Sequence, residues 1–207
     1  MNGNSIPKAT LGRLPQYLEY LRSLPENAGS TISATVIAKN LSLGEVQVRK
    51  DLAIVSGAGK PKIGYITQDL IRDLEGWLGS NELTAAVLVG AGKLGSALLD
   101  YSGFEEYGVK IAAAFDSSED VIRQNSSSKE VLPISDLKKF TSENDIKLGI
   151  ITVGRASAQE VCDMLVECGI GAIWNFAPCS LTVPENVILK QENLALSLAY
   201  LNNLLGK

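Results

Sequence analysis

The 207-residue chain contains no histidine. That excludes a Ser-His-Asp triad, a histidine general base and the usual zinc and non-haem iron sites, all of which rely on imidazole. Cysteine is nearly as scarce. Cys162, Cys168 and Cys179 are an odd number without CxxC spacing, which points to reduced thiols packed in a core, with no disulfide or metal framework. The N-terminus, MNGNSIPKAT, lacks the apolar run of a signal peptide. No stretch approaches the roughly 20 apolar residues of a membrane span. The expectation is a cytoplasmic protein with no metal and no membrane contact.

Hydrophobic residues make up 45% and charged residues 20% of the chain, enough to bury a core and too apolar for wholesale disorder. The signs of charge separate along the sequence. Residues 1–80 carry nine Lys/Arg against seven Asp/Glu, whereas residues 81–207 carry ten against sixteen. A net of +2 followed by −6 suggests two domains with different partners.

Residues 7–80 read as helices with one short polar hairpin. Leu11, Leu14, Leu18 and Leu21 recur at helical spacing, with Pro15 expected in the first turn of the main helix or at a kink. Residues 33–40 form a second helix with Ser33 as N-cap, and 42–55 a third, in which Ser42 and Glu45 have the spacing of a capping box. Residues 68–78 form a fourth helix, and Gly79-Ser80-Asn81 is a natural linker. From Thr84 the period changes. Residues 84–90, 110–116, 147–153 and 172–178 are short apolar runs, separated by helical segments near 92–101, 135–143 and 156–168. Strands apolar on both faces alternating with helices indicate a parallel sheet covered on two sides. Residues 122–131 read as a polar loop and 191–205 as a leucine-rich last helix.

Gly90-Ala91-Gly92-Lys93-Leu94-Gly95 is G-x-G-x-x-G between a predicted strand and a predicted helix. In a dinucleotide-binding turn the first glycine allows the tight bend, the second admits the pyrophosphate and the third lets helix and strand pack closely. Asp116 ends the next predicted strand. An acid there can accept both ribose hydroxyls of NAD and repels the extra phosphate of NADP. The bland alternative is a glycine turn without a ligand and Asp116 as a strand-end cap. A dehydrogenase is disfavoured: about 125 residues run from this strand to the end, barely one nucleotide-binding domain, and no Tyr-x-x-x-Lys pair appears. Cofactor binding without catalysis leaves sensing as the natural role.

Residues 34–54 fit a helix–turn–helix. With Val48, Leu52 and Val55 inward, Val46, Gln47, Arg49, Lys50, Ala53 and Ile54 face outward, offering donors to phosphates and base edges and methyl groups to thymine. Lys60 and Lys62 sit in a Gly-rich segment like the wing of a winged helix, which can enter the narrow minor groove of A·T-rich DNA. A solvated charged face with a surface loop is the alternative.

These stretches together carry a resemblance. IPKATLGRLPQYLEYL (6–21), QVRKDL (47–52), the segment from Gly57 to Tyr65, VGAGKLGSALLDYSGF (89–104), AAFD (113–116), residues 151–161 and NFAPCSLTVPENV (175–187) resemble the Rex redox-sensing transcriptional repressors of bacteria. The resemblance implies an N-terminal winged helix–turn–helix domain (1–80), an α/β Rossmann domain with a parallel sheet that binds NADH or NAD⁺ (81–190), and a C-terminal helix (191–207) exchanged across a homodimer. It implies binding to double-stranded DNA at a palindromic, A·T-rich operator, released when NADH binds. It places Tyr101, Thr152, Val153, Asn175 and Phe176 beside the cofactor, together with residues 90–95 and Asp116. Departures from the family pattern lie at Lys60-Pro61-Lys62-Ile63, where a wing arginine is missing, at Gly154, and at Glu19 and Asn193. A regulator of this fold that has lost NADH control is the runner-up; a small oxidoreductase is the third reading.

Overall fold

Two hydrophobic periods build two units, Met1–Glu82 and Leu83–Lys207. The structure is a computed structural model, describing residues 6–25, 29–79 and 83–206. The first unit contains α1 (Lys8–Leu11), α2 (Leu14–Arg22), β1 (Thr31–Ile32), α3 (Ala34–Asn40), α4 (Glu45–Ser56), β2 (Tyr65–Ile66) and α5 (Thr67–Leu78). Pro15 lies in the first turn of α2, where a missing N–H breaks no helical hydrogen bond. Leu14, Tyr17, Leu18 and Leu21 of that helix meet Ile37, Val48, Leu52, Leu70 and Leu74 in one buried core. Ser33 caps α3 as expected, its Oγ accepting from the Val36 N–H at 3.2 Å.

The expected capping box at Ser42 and Glu45 is absent. Gly44 is the N-cap of α4, with no side-chain capping bond. Ser42 instead belongs to the helix before it. It sits in the left-handed region at φ 54°, its N–H bonds to Lys39 O at 3.4 Å, and the Leu43 N–H bonds to Ala38 O at 2.9 Å. That is a Schellman ending of α3, so the turn between the two helices is set by the C-terminus of α3.

The second unit runs β3 (Thr84–Val89), α6 (Lys93–Leu99), a 3₁₀ segment (Ser102–Tyr107), β4 (Val109–Asp116), α7 (Glu119–Arg123), β5 (Val131–Pro133), a 3₁₀ turn (Ile134–Asp136), α8 (Leu137–Glu143), β6 (Ile146–Ile151), α9 (Ala158–Glu167), β7 (Ala172–Asn175), β8 (Ile188–Gln191) and α10 (Leu194–Leu205). The sheet order is β5-β4-β3-β6-β7-β8, and every pairing is parallel. This is the doubly wound Rossmann order, whose direction reverses between β3 and β6. Alternation along β3 feeds two cores. Val87 and Val89 pack with α9 residues such as Val161 and Leu165; Ala86 and Leu88 pack with Leu99 of α6.

Two expectations need correction. Residues 122–131 are only partly a loop, because α7 ends at Arg123 with Ser118 as its N-cap, and Val131 already pairs in β5. The last helix starts later than residue 191, because Ile188–Gln191 forms the edge strand β8 and Asn193 caps α10, accepting from the Ala195 and Leu196 N–H groups. Of the expected linker, Gly79 ends α5 in the left-handed conformation, while Ser80 and Asn81 lie outside the described residues.

Candidate nucleotide cleft and nucleic-acid face

The cleft forms at the carboxyl ends of β3, β4 and β6, the reversal point of the sheet. Gly90 adopts φ 101°, and a Cβ there would lie 2.8 Å from Val153 Cγ1 and 2.9 Å from the Thr152 carbonyl carbon. Both the conformation and the space therefore require glycine. A Cβ on Gly95 would fall 1.9 Å from Gly90 O, so this glycine brings α6 onto the turn. A Cβ on Gly92 would meet nothing within 4 Å, and this residue faces the open cleft. Thr152 Oγ1 donates to Gly90 O at 2.6 Å, tying β6 to the turn.

Asp116 sits across from the glycines. Its carboxylate accepts from the Ala91 N–H and the Ser118 N–H, each at 2.8 Å. A carboxylate has about four lone-pair sites, so two such bonds orient the group and leave acceptor capacity for a ligand's hydroxyls. The cleft has a volume of about 470 Å³.

Of the residues expected at the cofactor, Gly90, Gly92, Asp116, Thr152 and Val153 line this cleft. Ala91 is buried and contributes its N–H to Asp116. Gly95 is buried beneath the turn, and Lys93 and Leu94 are exposed on the first turn of α6. Asn175 is fully buried and committed to its own loop. Its Nδ2 donates to the carbonyls of Ala177 and Cys179 and to Gln191 Oε1, and its Oδ1 accepts from the Ala177 N–H. Tyr101 and Phe176 are the ends of an aromatic chain, Tyr101–Phe104–Trp174–Phe176, with ring centroids 4.5–5.7 Å apart. The sequence reading missed Ser117, Ile134, Ser157, Glu160, Val161 and Met164, which also line the cleft. Ser117 and Ile134 directly follow β4 and β5, so the rule that ligands sit at strand carboxyl ends could have found them.

The other candidate surface belongs to the first unit. Val48, Leu52 and Val55 of α4 are buried, while Val46, Gln47, Arg49, Lys50, Ala53 and Ile54 are exposed. Arg49 pairs with Glu45 one turn earlier. Arg49, Lys60 and Lys62 line one groove with the start of α3. The hairpin tip is a turn closed by Ile63 N–H to Lys60 O at 3.1 Å. Pro61 at its second position and Lys62 at φ 63° make it type II, a geometry that favours glycine where Lys62 stands.

Asp51 does not belong to the exposed charges of α4. It is 1% exposed and accepts from Thr10 Oγ1 at 2.9 Å, Arg13 Nε at 2.7 Å, Arg13 Nη2 at 3.0 Å, Tyr17 OH at 2.7 Å and Gln47 Nε2 at 3.0 Å. Desolvation pushes its pKa up, but the bonds from Arg13, Tyr17, Thr10 and Gln47 outweigh it and bring the value down to about 2. With this acid neutralised internally by Arg13, the outer face of the helix–turn–helix is more cationic than a count along the sequence indicates.

Residues 5–53 match the family model "Putative DNA-binding protein N-terminus" and residues 81–179 the model "CoA binding domain". The chain is 40% identical over 201 residues to the redox-sensing transcriptional repressor Rex of Carboxydothermus hydrogenoformans, covering 97% of each chain. It is 40% identical over 202 residues to that of Treponema denticola, covering 97% of this chain and 96% of the relative. The chain belongs to the Rex family of redox-sensing transcriptional repressors. Solved Rex structures have the same fold. The Rex-family repressor RSP in complex with β-NAD⁺ and operator DNA matches with a TM-score of 0.89 at 32% identity, over 98% of this chain and 93% of that one. RSP in complex with β-NADH matches with a TM-score of 0.87, over 98% and 95%. The Rex fold accounts for both surfaces: a DNA-binding N-terminal unit and a Rossmann unit whose cleft opens at the sheet reversal.

Proposed function

We propose that this chain is a cytoplasmic, homodimeric repressor that binds a palindromic, A·T-rich operator and leaves it on binding NADH. The observation that carries the reading is Asp116, held at the end of β4 by the Ala91 and Ser118 N–H groups and facing the same cleft as Gly90 and Gly92. A carboxylate so oriented accepts the 2′- and 3′-hydroxyls of an adenosine ribose and repels a 2′-phosphate. Gly92, open on its Cβ side, admits the pyrophosphate. The relatives' own complexes with NADH, NAD⁺ and operator DNA support the same ligands here.

No catalytic step is assigned. The chain has no histidine, and the cleft's role is to bind. DNA contacts fall to Gln47, Arg49 and Lys50 on α4 and to Lys60 and Lys62 on the wing hairpin. The two domains are residues 1–80 and 81–190. The last segment, 191–207, reaches the partner subunit: seven large apolar side chains of α10, from Leu194 to Leu205, are 54–85% exposed. A twelve-residue helix exposing them to water is marginal alone, and docking on a second copy buries them.

The test is a titration of operator binding against NADH and NAD⁺, with the operator obtained by selection from random duplexes. NADH should displace the protein at lower concentration than NAD⁺. Operator affinity that is indifferent to NADH would instead favour a regulator that has lost cofactor control.

A further inference from the structure

Gln47 lies on the exposed face of α4, yet its side chain is tied to a buried group. Its Nε2 donates to Asp51 Oδ1 at 3.0 Å, one turn along the same helix. A carboxylate only accepts, so the bond fixes which end of the carboxamide is which. The amino group turns inward to Asp51, and Oε1, which meets no protein donor among the described residues, is left for a ligand together with the second N–H of Nε2. Asp51 is itself immobile. It is bidentate to Arg13 and bonded to Thr10 and Tyr17, so it anchors Gln47 to α1 and α2.

The orientation has a consequence for base reading. An acceptor beside an N–H matches the major-groove edge of adenine, which offers an N6 amino donor and the N7 acceptor. Reversing the amide would place Oε1 against the Asp51 carboxylate and turn both N–H groups outward, the pattern suited to guanine O6 and N7. We propose that Asp51 is a specificity-determining residue acting through Gln47: it holds the carboxamide so that the protein reads adenine and rejects guanine at one pair of symmetry-related operator positions. The inference rests on the proposed DNA-binding function, and deepens it by assigning a base and the residue that enforces the choice.

Selection of full-length protein on a randomised duplex pool tests it. The wild type should enrich adenine at one symmetric pair of positions. Gln47→Met should lose the preference there and nowhere else. Asp51→Asn can donate to Oε1 as readily as it accepts from Nε2, so it should admit guanine there and lower the adenine-to-guanine ratio about tenfold, or about 1.4 kcal/mol. A uniform loss of affinity for all sequences in a folded Asp51→Asn protein would mean that Asp51 only holds the fold, and would overturn the proposal. If that variant does not fold, the wild type decides. Replacing the selected adenine by purine, which lacks the amino group, should weaken binding about tenfold in the wild type and not at all in Gln47→Met. The Gln47 Nε2 proton facing Asp51 should also resonate downfield of an exposed glutamine amide by NMR and exchange slowly with water, and should lose both features in Asp51→Asn. Ordinary exposed-amide shifts and exchange in the wild type, or equal sensitivity to purine in both proteins, would overturn the assignment. If the wild type selects no sequence at all, the DNA-binding function itself falls; if it selects one that these variants leave unchanged, only this inference does.

Discussion

Asp51 is a buried charge with five donors, and its worth to the fold depends on all of them. Its pKa falls from 3.8 to about 2 on folding, so the folded state binds its proton less readily than the unfolded chain does. The resulting stability is complete above pH 4 and is lost as pH falls toward 2, about 2 kcal/mol in all. Tyr17, desolvated and bonded to Asp51, is pushed up to about 12; its contribution holds below pH 10 and is lost as pH rises through 12. Arg13→Ala removes the cation and leaves the carboxylate buried without compensation, at a cost of about 3–5 kcal/mol. Denaturation followed by Trp77 fluorescence in a Trp174→Phe background should show that loss, and an unchanged midpoint would mean that Asp51 takes on water or a proton instead. Asp116 differs in kind: it is aimed at a ligand. Asp116→Ala should weaken NADH about ten- to a hundredfold by calorimetry, since charge-assisted hydrogen bonds are worth roughly 1.5–3 kcal/mol, and should narrow the preference for NADH over NADPH. Operator affinity without cofactor should hardly change.

At the scale of the element, the glycine turn separates folding from binding. Gly95→Ala would press a methyl group to within 1.9 Å of Gly90 O, forcing α6 away from β3 with a cost of at least about 2 kcal/mol in stability. Gly92→Ala meets only open space, so the protein should keep its melting temperature and lose NADH binding because the methyl occupies the path of the pyrophosphate. Paired thermal melts and NADH titrations check both; a Gly92→Ala protein that binds NADH normally would place the pyrophosphate elsewhere. This turn was legible in the sequence because its glycines have a fixed spacing, and the strand–helix alternation was legible because both faces of the sheet are apolar. Short elements were not. The three residues of β5 and the five of α7 show no period, and β8 is an edge strand with exposed Ile188. Ser42 shows a different limit. Its S-x-x-E spacing fits a capping box, but the same serine was needed as the left-handed end of α3, and the preceding helix prevailed. The burial of Asp51 left no mark in the sequence, because nothing in the spacing of α4 reveals that Arg13 and Tyr17 close over it.

For the whole molecule, the unanswered surface is α10. Among its twelve residues none is buried, although Leu194, Leu196, Leu198, Tyr200, Leu201, Leu204 and Leu205 are apolar or aromatic. These side chains cover more of the helix than one core-facing stripe requires, which suits a helix enclosed on several sides by a second copy. Truncation at Gln191 removes α10 whole and leaves β8 nearly intact, so both units retain their cores while the proposed dimer would lose its contact. The truncated chain should sediment as a monomer or precipitate. Its effect on DNA should exceed any local contact that α10 makes. A palindromic operator is read by two α4 helices entering major grooves one helical turn apart, about 34 Å, and linking them makes the second binding event intramolecular, an advantage of about 10²–10⁴ in affinity. A monomer retains every residue of the DNA face and forfeits that factor, so it should bind a full palindrome no better than an isolated half-site. NADH affinity distinguishes the alternatives. If the Asp116 cleft binds cofactor within one subunit, as its lining indicates, the soluble monomer should still take up NADH while NADH no longer alters its weak DNA binding. A truncated protein that remains a stable dimer by light scattering would assign the apolar helix another partner.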